Sequence, residues 1–343
     1  MKSEELYNYQ GNPVYEYTMR NDELEIRALN YGASVTMIQA KNKNGVKENV
    51  VVAYDDIESY FTQPGPYLNA MVGPTAGRIA YGKYMLDGKE HTLSLNSPPN
   101  HLHGGATGIS KQFFHAEELK DGDKQILRFT LDVDHSKDGY SGTYTYQIDY
   151  ILEGNTFTIK SLCAPQNKGI ANLTSHMYFN LSGDLKDSIN GHELKIPSSK
   201  KTKVDKDNYP GAIVDIDKNS AFDFLNYKTI LQNFAKGDEE FEITRGYDTA
   251  FLLNEGNTIT LHDKESGRLM NVTTDQKSVV VYSANYFDSQ LIINENKKGY
   301  PFCSIALETQ DIPNGINIVG DEGRVFDTQH PYKQITTYEF SIK

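Results

Sequence analysis

Residues 170–183 have the sequence Ile-Ala-Asn-Leu-Thr-Ser-His-Met-Tyr-Phe-Asn-Leu-Ser-Gly, and this stretch decides how the rest of the chain is interpreted. A period of two gives the stretch one mainly apolar face, formed by Ala171, Leu173, Ser175, Met177, Phe179 and Leu181. The opposite face carries Asn172, Thr174, His176, Tyr178 and Asn180. The pattern predicts a strand whose polar face lines a hydrogen-bonding cleft around a titratable imidazole. An edge strand with its polar face in water is the alternative that this stretch leaves open.

The same alternation recurs along the chain in short segments that are separated by turn residues. Residues 25–31 and 33–40 alternate around a glycine, and residues 81–86 and 91–95 flank Asp87-Gly88, a pair that suits a tight hairpin turn. Only two short helical segments are predicted, at residues 55–61 and 230–241. Many strands at short spacing indicate an all-β sandwich or barrel. Since no linker, repeat or low-complexity tract divides the chain, one domain over residues 1–343 is expected.

Composition excludes several classes of partner. The 343 residues include 34 Lys and Arg against 46 Asp and Glu, and the net charge of -12 repels nucleic acids and anionic membranes. Cys163 and Cys303 are far apart and outside any metal-ligand spacing. The amino terminus lacks the apolar core of a signal peptide, and nowhere do 18 apolar residues run together. These features predict a cytoplasmic protein with a small-molecule substrate, either a monomer or a homodimer.

Glu308 is a candidate site residue because of its neighbours on an alternating segment. In residues 303–308, Ser304 and Ala306 share the face of Glu308, and two small side chains leave open space beside the carboxylate. A cleft floor requires such space. The alternative is a solvated glutamate on an edge strand.

His103 lies in the loop sequence Asn100-His-Leu-His-Gly-Gly, where two glycines allow the backbone to approach another group closely. Its alternative is polar turn surface. The His-Leu-His spacing suggests a metal pair, but no third ligand lies nearby, so no metal is predicted.

Four further residues are candidate ligands of a polyol. Arg78, after Gly73-Pro-Thr-Ala-Gly, could present its planar guanidinium to vicinal hydroxyls or form a structural ion pair. Asp248 precedes an apolar run and could accept hydrogen bonds from hydroxyls or cap a turn. Gln276 and Tyr286 are weaker candidates, as a hydroxyl partner and a stacking ring.

The chain lacks the sequence motifs of several common enzyme classes. No serine-centred elbow, no GxGxxG after a strand and no HExxH occurs, which excludes serine hydrolases, nicotinamide enzymes and zinc proteases. A histidine and a glutamate on two strands remain. Such a pair can remove one proton from a substrate and add another by general acid–base catalysis, without a cofactor.

Five segments in order, Gly-Pro-Thr-Ala-Gly-Arg-Ile, Asn-His-Leu-His-Gly-Gly, Leu-Thr-Ser-His-Met-Tyr-Phe-Asn-Leu, Gly-Tyr-Asp-Thr-Ala-Phe and Leu-Glu-Thr-Gln, resemble the aldose 1-epimerases, or galactose mutarotases. The resemblance covers nearly the whole chain. It implies a large antiparallel β-sandwich with few short helices, and a sugar held in a cleft on one sheet. It also implies that the chain interconverts the anomers of free aldoses.

The resemblance assigns roles to individual residues. It implies that Glu308 is the general base for the anomeric hydroxyl and His176 the general acid for the ring oxygen, on opposite sides of one pyranose. His103 would assist from the far side. Arg78 and Asp248 resemble hydroxyl-binding residues, and Tyr178, Gln276 and Tyr286 complete the expected binding set.

Two positions depart from the family pattern. Many relatives have Asn where Gly77 stands and His where Thr249 stands, and both positions are expected at or beside the substrate. The preferred aldose therefore stays open.

Three rival functions remain open. One is a non-catalytic sugar-binding protein on the same fold. A hexose 6-phosphate epimerase would need more cationic side chains than Arg78 for the phosphate. A glycoside hydrolase would ordinarily need a second carboxylate in place of the histidine.

Overall fold

The computed structural model describes residues 1–232, 234, 238–254, 256 and 258–343. The amino-terminal part forms a five-stranded antiparallel sheet in chain order. Its strands are β1 (Lys2–Tyr9), β2 (Asn12–Arg20), β3 (Leu24–Leu29), β4 (Val35–Lys41) and β5 (Lys47–Asn49).

The remaining strands follow in two groups. The first group is β6 (Met71–Val72), β7 (Arg78–Ile79), β8 (Lys83–Leu86), β9 (Lys89–Thr92), β10 (His101–Leu102), β11 (His115–Asp121), β12 (Lys124–Asp134), β13 (Thr143–Glu153), β14 (Thr156–Pro165), β15 (Gly169–Ile170), β16 (Thr174–Ser175) and β17 (Tyr178–Phe179). The second is β18 (Glu193–Lys195), β19 (Lys200–Val204), β20 (Pro210–Asp215), β21 (Lys228–Thr229), β22 (Asp248–Leu252), β23 (Ile259–His262), β24 (Arg268–Thr274), β25 (Ser278–Tyr282), β26 (Ile292–Ile293), β27 (Lys297–Lys298), β28 (Ile305–Gln310), β29 (Val325–Phe326) and β30 (Tyr332–Ile342).

Helices are short in the described residues. The α-helices are α1 (Ser59–Thr62), α2 (Glu239–Thr244) and α3 (Gly315–Ile318), and single 3-10 turns occur at Ala80–Gly82, Ile109–Lys111, Ser136–Asp138 and Ile189–Gly191. None of the helices described here is long and apolar enough to cross a membrane.

Two large sheets pack face to face. Within the described ranges, one sheet has the order β11-β12-β13-β14-β30-β24-β23-β18-β21 and the other β17-β28-β25-β22-β19-β20. Phe179 of the second sheet lies 5.5 Å, ring centre to ring centre, from Tyr338 of the first, and the hydroxyls of Thr309 and Thr336 are 2.7 Å apart across the interface. Side chains from these sheets and from the five-stranded sheet share one buried core. The predicted antiparallel β-sandwich is confirmed. The single domain stays a prediction.

The second sheet is covered on both faces, and this arrangement creates the site. On β28, Ile305, Leu307 and Thr309 point toward the core, while Ala306 and Glu308 point to the outer face. All six residues of β28 are buried, because loops and the segment around His176 cover the outer face. We refer below to this second sheet as the site sheet.

Local turn chemistry was predicted correctly, and the second predicted helix is shorter and lies later in the chain than expected. Asp87 and Gly88 have φ of 51° and 73° and join β8 to β9, as the hairpin prediction requires. Helix α1 overlaps the predicted turn at 55–61. For the predicted helix at 230–241, residues 233 and 235–237 lie outside the described residues, and α2 begins only at Glu239, after the side chain of Asp238 accepts a hydrogen bond from Glu240.

Candidate active site

A cavity of about 360 Å³ opens on the outer face of the site sheet. Its volume is at the lower end of the range for small-molecule sites, roughly 300–1,000 Å³. The lining residues are Gly65, Pro66, Tyr67, Gly77, Arg78, Leu102, His103, His176, Tyr178, Val204, Asn208, Tyr209, Pro210, Asp248, Ala250, Val280, Tyr282, Tyr286, Phe287, Glu308, Gln310 and Pro313. The cavity therefore collects most of the residues that the motifs singled out.

The floor of the cavity follows from the strand register. Glu308 pairs with Val280, and Val280 pairs with Ala250, so these residues form one row across β28, β25 and β22. The open space above the carboxylate is due to the small side chains of this row. Ser304 and Ala306, which the sequence analysis credited with that space, do not line the cavity, and Ala306 packs in an apolar cluster with Phe287.

His176 and Glu308 form the centre of the site. The Nε2 atom of His176 lies 3.4 Å from Oε1 of Glu308, and both side chains are almost fully buried. Burial lowers the pKa of His176 to about 4 and raises the pKa of Glu308 well above its usual value; nearby Asp248 also raises it, and Arg78 lowers it. Both shifts favour the uncharged forms of the two side chains, which places the proton of the pair on Glu308.

The segment 170–183 is not the continuous strand that its alternation predicts. It is divided into β15, β16 and β17, and all of its residues from Gly169 through Gly183 are buried. Its polar side chains face different partners: Asn172 donates to the carbonyl of Asp311, Thr174 to that of Thr309, and Asn180 to that of Cys303. Thus only His176 and Tyr178 of the polar face reach the cavity. The alternative of a solvent-facing edge strand is wrong.

His103 contacts His176 directly, with ring centres 5.3 Å apart. This places His103 beside His176, and its assisting role stays a prediction. Its Nδ1 accepts a hydrogen bond from the backbone N–H of Gly77 at 3.2 Å, so the neutral ring carries its proton on Nε2. Burial, with smaller contributions from His176 and Arg78, lowers the pKa of His103 well below its usual value. His103 is therefore a neutral hydrogen-bond donor.

His101 does not join His103 in a metal pair. Its Nε2 lies 2.8 Å from the hydroxyl of Tyr140 and its Nδ1 lies 2.7 Å from the carbonyl of Ser94, both away from the cavity. In the described part of the chain, no group of three or more His, Cys, Asp or Glu side chains is arranged to hold a metal ion.

Arg78 and Asp248 combine the two roles that the sequence left open. Nη1 of Arg78 lies 3.3 Å from Oδ2 of Asp248, and both side chains keep a partly exposed surface in the cavity. The pair offers donors and an acceptor to vicinal hydroxyls. Gln310 supports the floor: its amide nitrogen is 3.5 Å from Oε2 of Glu308 and its oxygen accepts from Asn172 at 3.4 Å.

Three expected binding residues have different outcomes. Tyr178 lines the cavity, but its hydroxyl donates to the carbonyl of Pro66 at 2.9 Å, so its ring, not its hydroxyl, is available. Tyr286 lines the mouth and is 47 % exposed. Gln276 is not in the cavity: its side chain accepts from the hydroxyl of Tyr332 and donates to Asp275. Gln276 lies beyond the end of the site sheet, before β25 begins.

Comparison with known proteins places the chain in a family. A profile of the aldose 1-epimerase family matches residues 15–339. The chain belongs to the aldose 1-epimerase family. Galactose mutarotase of Mus musculus is 30 % identical over 340 residues, covering 97 % of this chain and 95 % of that protein. Aldose 1-epimerase of Escherichia coli K12 is 27 % identical over 317 residues, covering 90 % and 89 %.

The fold of the family is also evident in solved structures. The crystal structure of galactose 1-epimerase from Lactobacillus acidophilus NCFM superposes with a TM-score of 0.88 at 24 % identity, covering 99 % of this chain and 98 % of that one. The resemblance inferred from the five motifs is therefore confirmed.

The two departures from the family pattern differ in position. Gly77 lines the cavity with φ +72°, and a Cβ there would lie 2.6 Å from Cβ of Pro313. Thr249 does not line the cavity; it is 2 % exposed and pairs with Val281, whose side chain lies in the core. Thr249 therefore lies beside the cavity without lining it, because alternation along β22 directs Asp248 and Ala250 to the cavity.

Tyr67, Tyr282 and Gln310 line this aldose 1-epimerase site but were not identified from the sequence. Gln310 could have been found, since it is two residues from Glu308 on the same strand face. Tyr282 follows an apolar run and has no distinguishing neighbour. Tyr67 lies in the Pro-Gly-Pro-Tyr loop, whose position depends on long-range contacts.

Proposed function

We propose that this chain catalyses the interconversion of the α and β anomers of free aldoses such as glucose and galactose. The observation that carries the proposal is the 3.4 Å approach of His176 Nε2 to Glu308 Oε1 on the floor of a sugar-sized cavity. The names of the relatives, galactose mutarotase and aldose 1-epimerase, agree with that chemistry.

One proton shared by the pair is what the reaction needs. Before a sugar reacts, this proton is favoured on Glu308, because burial disfavours both charged forms. Its transfer to the adjacent His176 gives a carboxylate and an imidazolium without exchange with water. The amide of Gln310 and the guanidinium of Arg78 both favour the carboxylate form of Glu308.

Ring opening then uses each group once. The Glu308 carboxylate takes the proton of the anomeric hydroxyl, the C1–O1 bond becomes a carbonyl, and the C1–O5 bond breaks. His176 gives its proton to O5. O1 and O5 are bonded to the same carbon, so an acid and a base that lie side by side can serve both oxygens, and the opposite-side placement inferred from the resemblance is not required.

Reclosure completes the isomerisation. Rotation about C1–C2 presents the other face of the aldehyde to the O5 hydroxyl. His176 takes the O5 proton as the ring closes, and Glu308 returns a proton to O1. The pair ends with the same single proton, so the reaction needs no cofactor and no net exchange of protons with water.

The surrounding groups hold the sugar during this sequence. We assign Arg78 and Asp248 to its hydroxyls, and the Nε2–H of His103 to an oxygen near the reacting carbon. Tyr178 and Tyr286 contribute ring surface. Among the described lining residues Arg78 is the one Lys or Arg, and its pairing with Asp248 leaves it little free charge for a phosphate. This argues for an unphosphorylated aldose.

Polarimetry of freshly dissolved α-glucose and α-galactose tests the proposal. We expect acceleration by the wild-type protein and a loss of about 10²–10⁴-fold in Glu308→Gln and in His176→Gln, the usual contribution of a positioned acid or base. Matched controls are Glu339→Gln and His115→Gln, which make the same changes at exposed strand positions. Near-normal turnover in either site variant would refute the mechanism. Sugar binding by calorimetry without any wild-type acceleration would favour the non-catalytic binder.

A further inference from the structure

Tyr67 occupies a position that the reaction scheme has not used. Its ring centre lies 4.6 Å from that of His103 and 6.2 Å from that of His176, and its plane is within 22° of the His176 plane. Nζ of Lys111 lies 5.6 Å from the ring centre. The Tyr67 ring thus packs beside both imidazoles and near one ammonium group.

The backbone holds Tyr67 rigidly in an uncommon conformation. Its φ is +53°, in the left-handed region that non-glycine residues seldom adopt. The N–H of Tyr67 donates to Pro64 O at 3.2 Å, and its carbonyl accepts from Ala70 N at 3.1 Å. The hydroxyl of Tyr178 holds the preceding carbonyl of Pro66. These hydrogen bonds fix the position of Tyr67 at the rim of the cavity.

The hydroxyl of Tyr67 is available, whereas those of its neighbours are engaged. The Tyr178 hydroxyl bonds Pro66, and the Tyr282 hydroxyl accepts from the backbone N–H of Tyr286 at 3.3 Å. Among the described residues, the Tyr67 hydroxyl makes no hydrogen bond, although the side chain is half-buried and lines the cavity. Burial raises its pKa and nearby Arg78 lowers it, so the phenol stays protonated and can donate.

We propose that Tyr67 is a further substrate-binding residue of this site, with a hydroxyl that bonds a sugar hydroxyl and a ring that keeps water from His176. The proposal rests on the proposed function, since it assumes an aldose in the cavity. It adds a contact that none of the five family motifs contains.

The ring's effect on His176 can be separated from that of its other neighbours. The titratable and charged groups around His176 are Glu308, His103, Tyr67, Tyr178 and Tyr282, with Arg78 and Asp248 in the same cavity and Lys111 near the Tyr67 ring. Tyr67 is the one among them that belongs to the loop 64–67 at the cavity rim. Removing its ring therefore hydrates the imidazole without deleting a charge.

Two variants divide the proposal into testable parts. Tyr67→Phe removes only the hydroxyl and should raise KM for galactose or glucose roughly 2- to 10-fold, the usual effect of one neutral hydrogen bond, with kcat unchanged. Tyr67→Ala removes the ring as well and should move the midpoint of the His176 NMR titration upward by at least one pH unit. Tyr67→Phe should leave that midpoint in place.

Tyr9→Phe and Tyr9→Ala are the matched controls, because Tyr9 stacks on Phe61 outside the cavity lining. An unchanged KM in Tyr67→Phe would overturn the hydroxyl contact, and an unchanged midpoint in Tyr67→Ala would overturn the shielding. If Tyr67→Ala does not fold, Tyr67→Leu is titrated in its place. Calorimetric binding and NMR titration need no turnover, so a wild-type protein that binds galactose without mutarotation would overturn the proposed function and not the Tyr67 contact.

Discussion

Titration of His176 is the sharpest test of how the site is built. The perturbation is a change of pH from 8 to 3.5. The protonation of each histidine is monitored through its ring C–H resonances in NMR spectra. Burial lowers the pKa of His176 to about 4, and its Nδ1 is buried without a hydrogen-bond partner among the described residues. We expect a titration midpoint near that value.

The size of the effect makes the experiment decisive. At pH 5.5 an imidazole with a pKa of about 4 is about 3 % protonated, whereas one with the ordinary value of about 6.5 is about 90 % protonated. The difference corresponds to roughly 3 kcal/mol against the imidazolium in the folded protein. On this account the acid limb of the kcat/KM profile belongs to His176 and the basic limb to Glu308.

The His176 resonance is assigned with the variant His176→Gln, in whose spectrum it is missing. The control is the same titration in urea, where the histidines of the unfolded chain should show midpoints near ~6.5. A folded-state midpoint at 6 or above would refute the reasoning, because the imidazole would then be hydrated or paired with an ionised Glu308. His135 and His192 share the lowered pKa of about 4, also because of burial, and should titrate in the same low range.

The remaining predictions concern stability and the shape of the cavity. The three histidines with a pKa near 4 bind fewer protons in the folded than in the unfolded protein. The free energy of unfolding should therefore fall as pH drops from about 6.5 to about 4, by up to roughly 3 kcal/mol for each histidine. A urea midpoint that does not move over this pH range would contradict the prediction. Gly105→Ala places a Cβ 2.4 Å from Oδ1 of Asp138 and should destabilise the protein by at least about 2 kcal/mol more than Gly88→Ala. Gly88 is the control because it has a similar φ and its added Cβ would have no atom within 4 Å. Equal urea midpoints for the two variants would refute the clash. Ala250→Leu fills the cavity floor and should raise KM at least about tenfold with the fold retained. Thr249→Val, on the core side of β22, should leave KM unchanged. The reversed result would show that the two faces of β22 are misassigned.

The sequence predicts well whatever depends on nearby residues. The Asp87-Gly88 hairpin forms because both residues can adopt positive φ, which is a property of that dipeptide alone. Strand alternation also correctly directs Glu308 away from the core. These features are local, and no information about distant partners is needed to find them.

The sequence predicts poorly whatever depends on distant partners. The alternation in 170–183 is real, yet the segment breaks into two-residue strands because its carbonyl and amide groups bond to β29, β6 and β28 in turn. Gln276 resembles a binding residue but lies past the edge of the cavity. Tyr67 was missed because a loop of Pro and Gly gives no sign of what it will cover.

A single strand register brings together His176 and Glu308, the proposed acid and base. Tyr178 pairs with Ala306 in the antiparallel ladder of β17 and β28, and in such a ladder the residue two before Tyr178 lies opposite the residue two after Ala306. Those residues are His176 and Glu308, which explains why they stay 3.4 Å apart although β17 ends before reaching His176. Directly opposite residues share a face and lie about 5 Å apart at Cβ. A slip of one residue in β28 would turn Glu308 toward the core, so the approach of His176 to Glu308 depends on the register of β17 and β28.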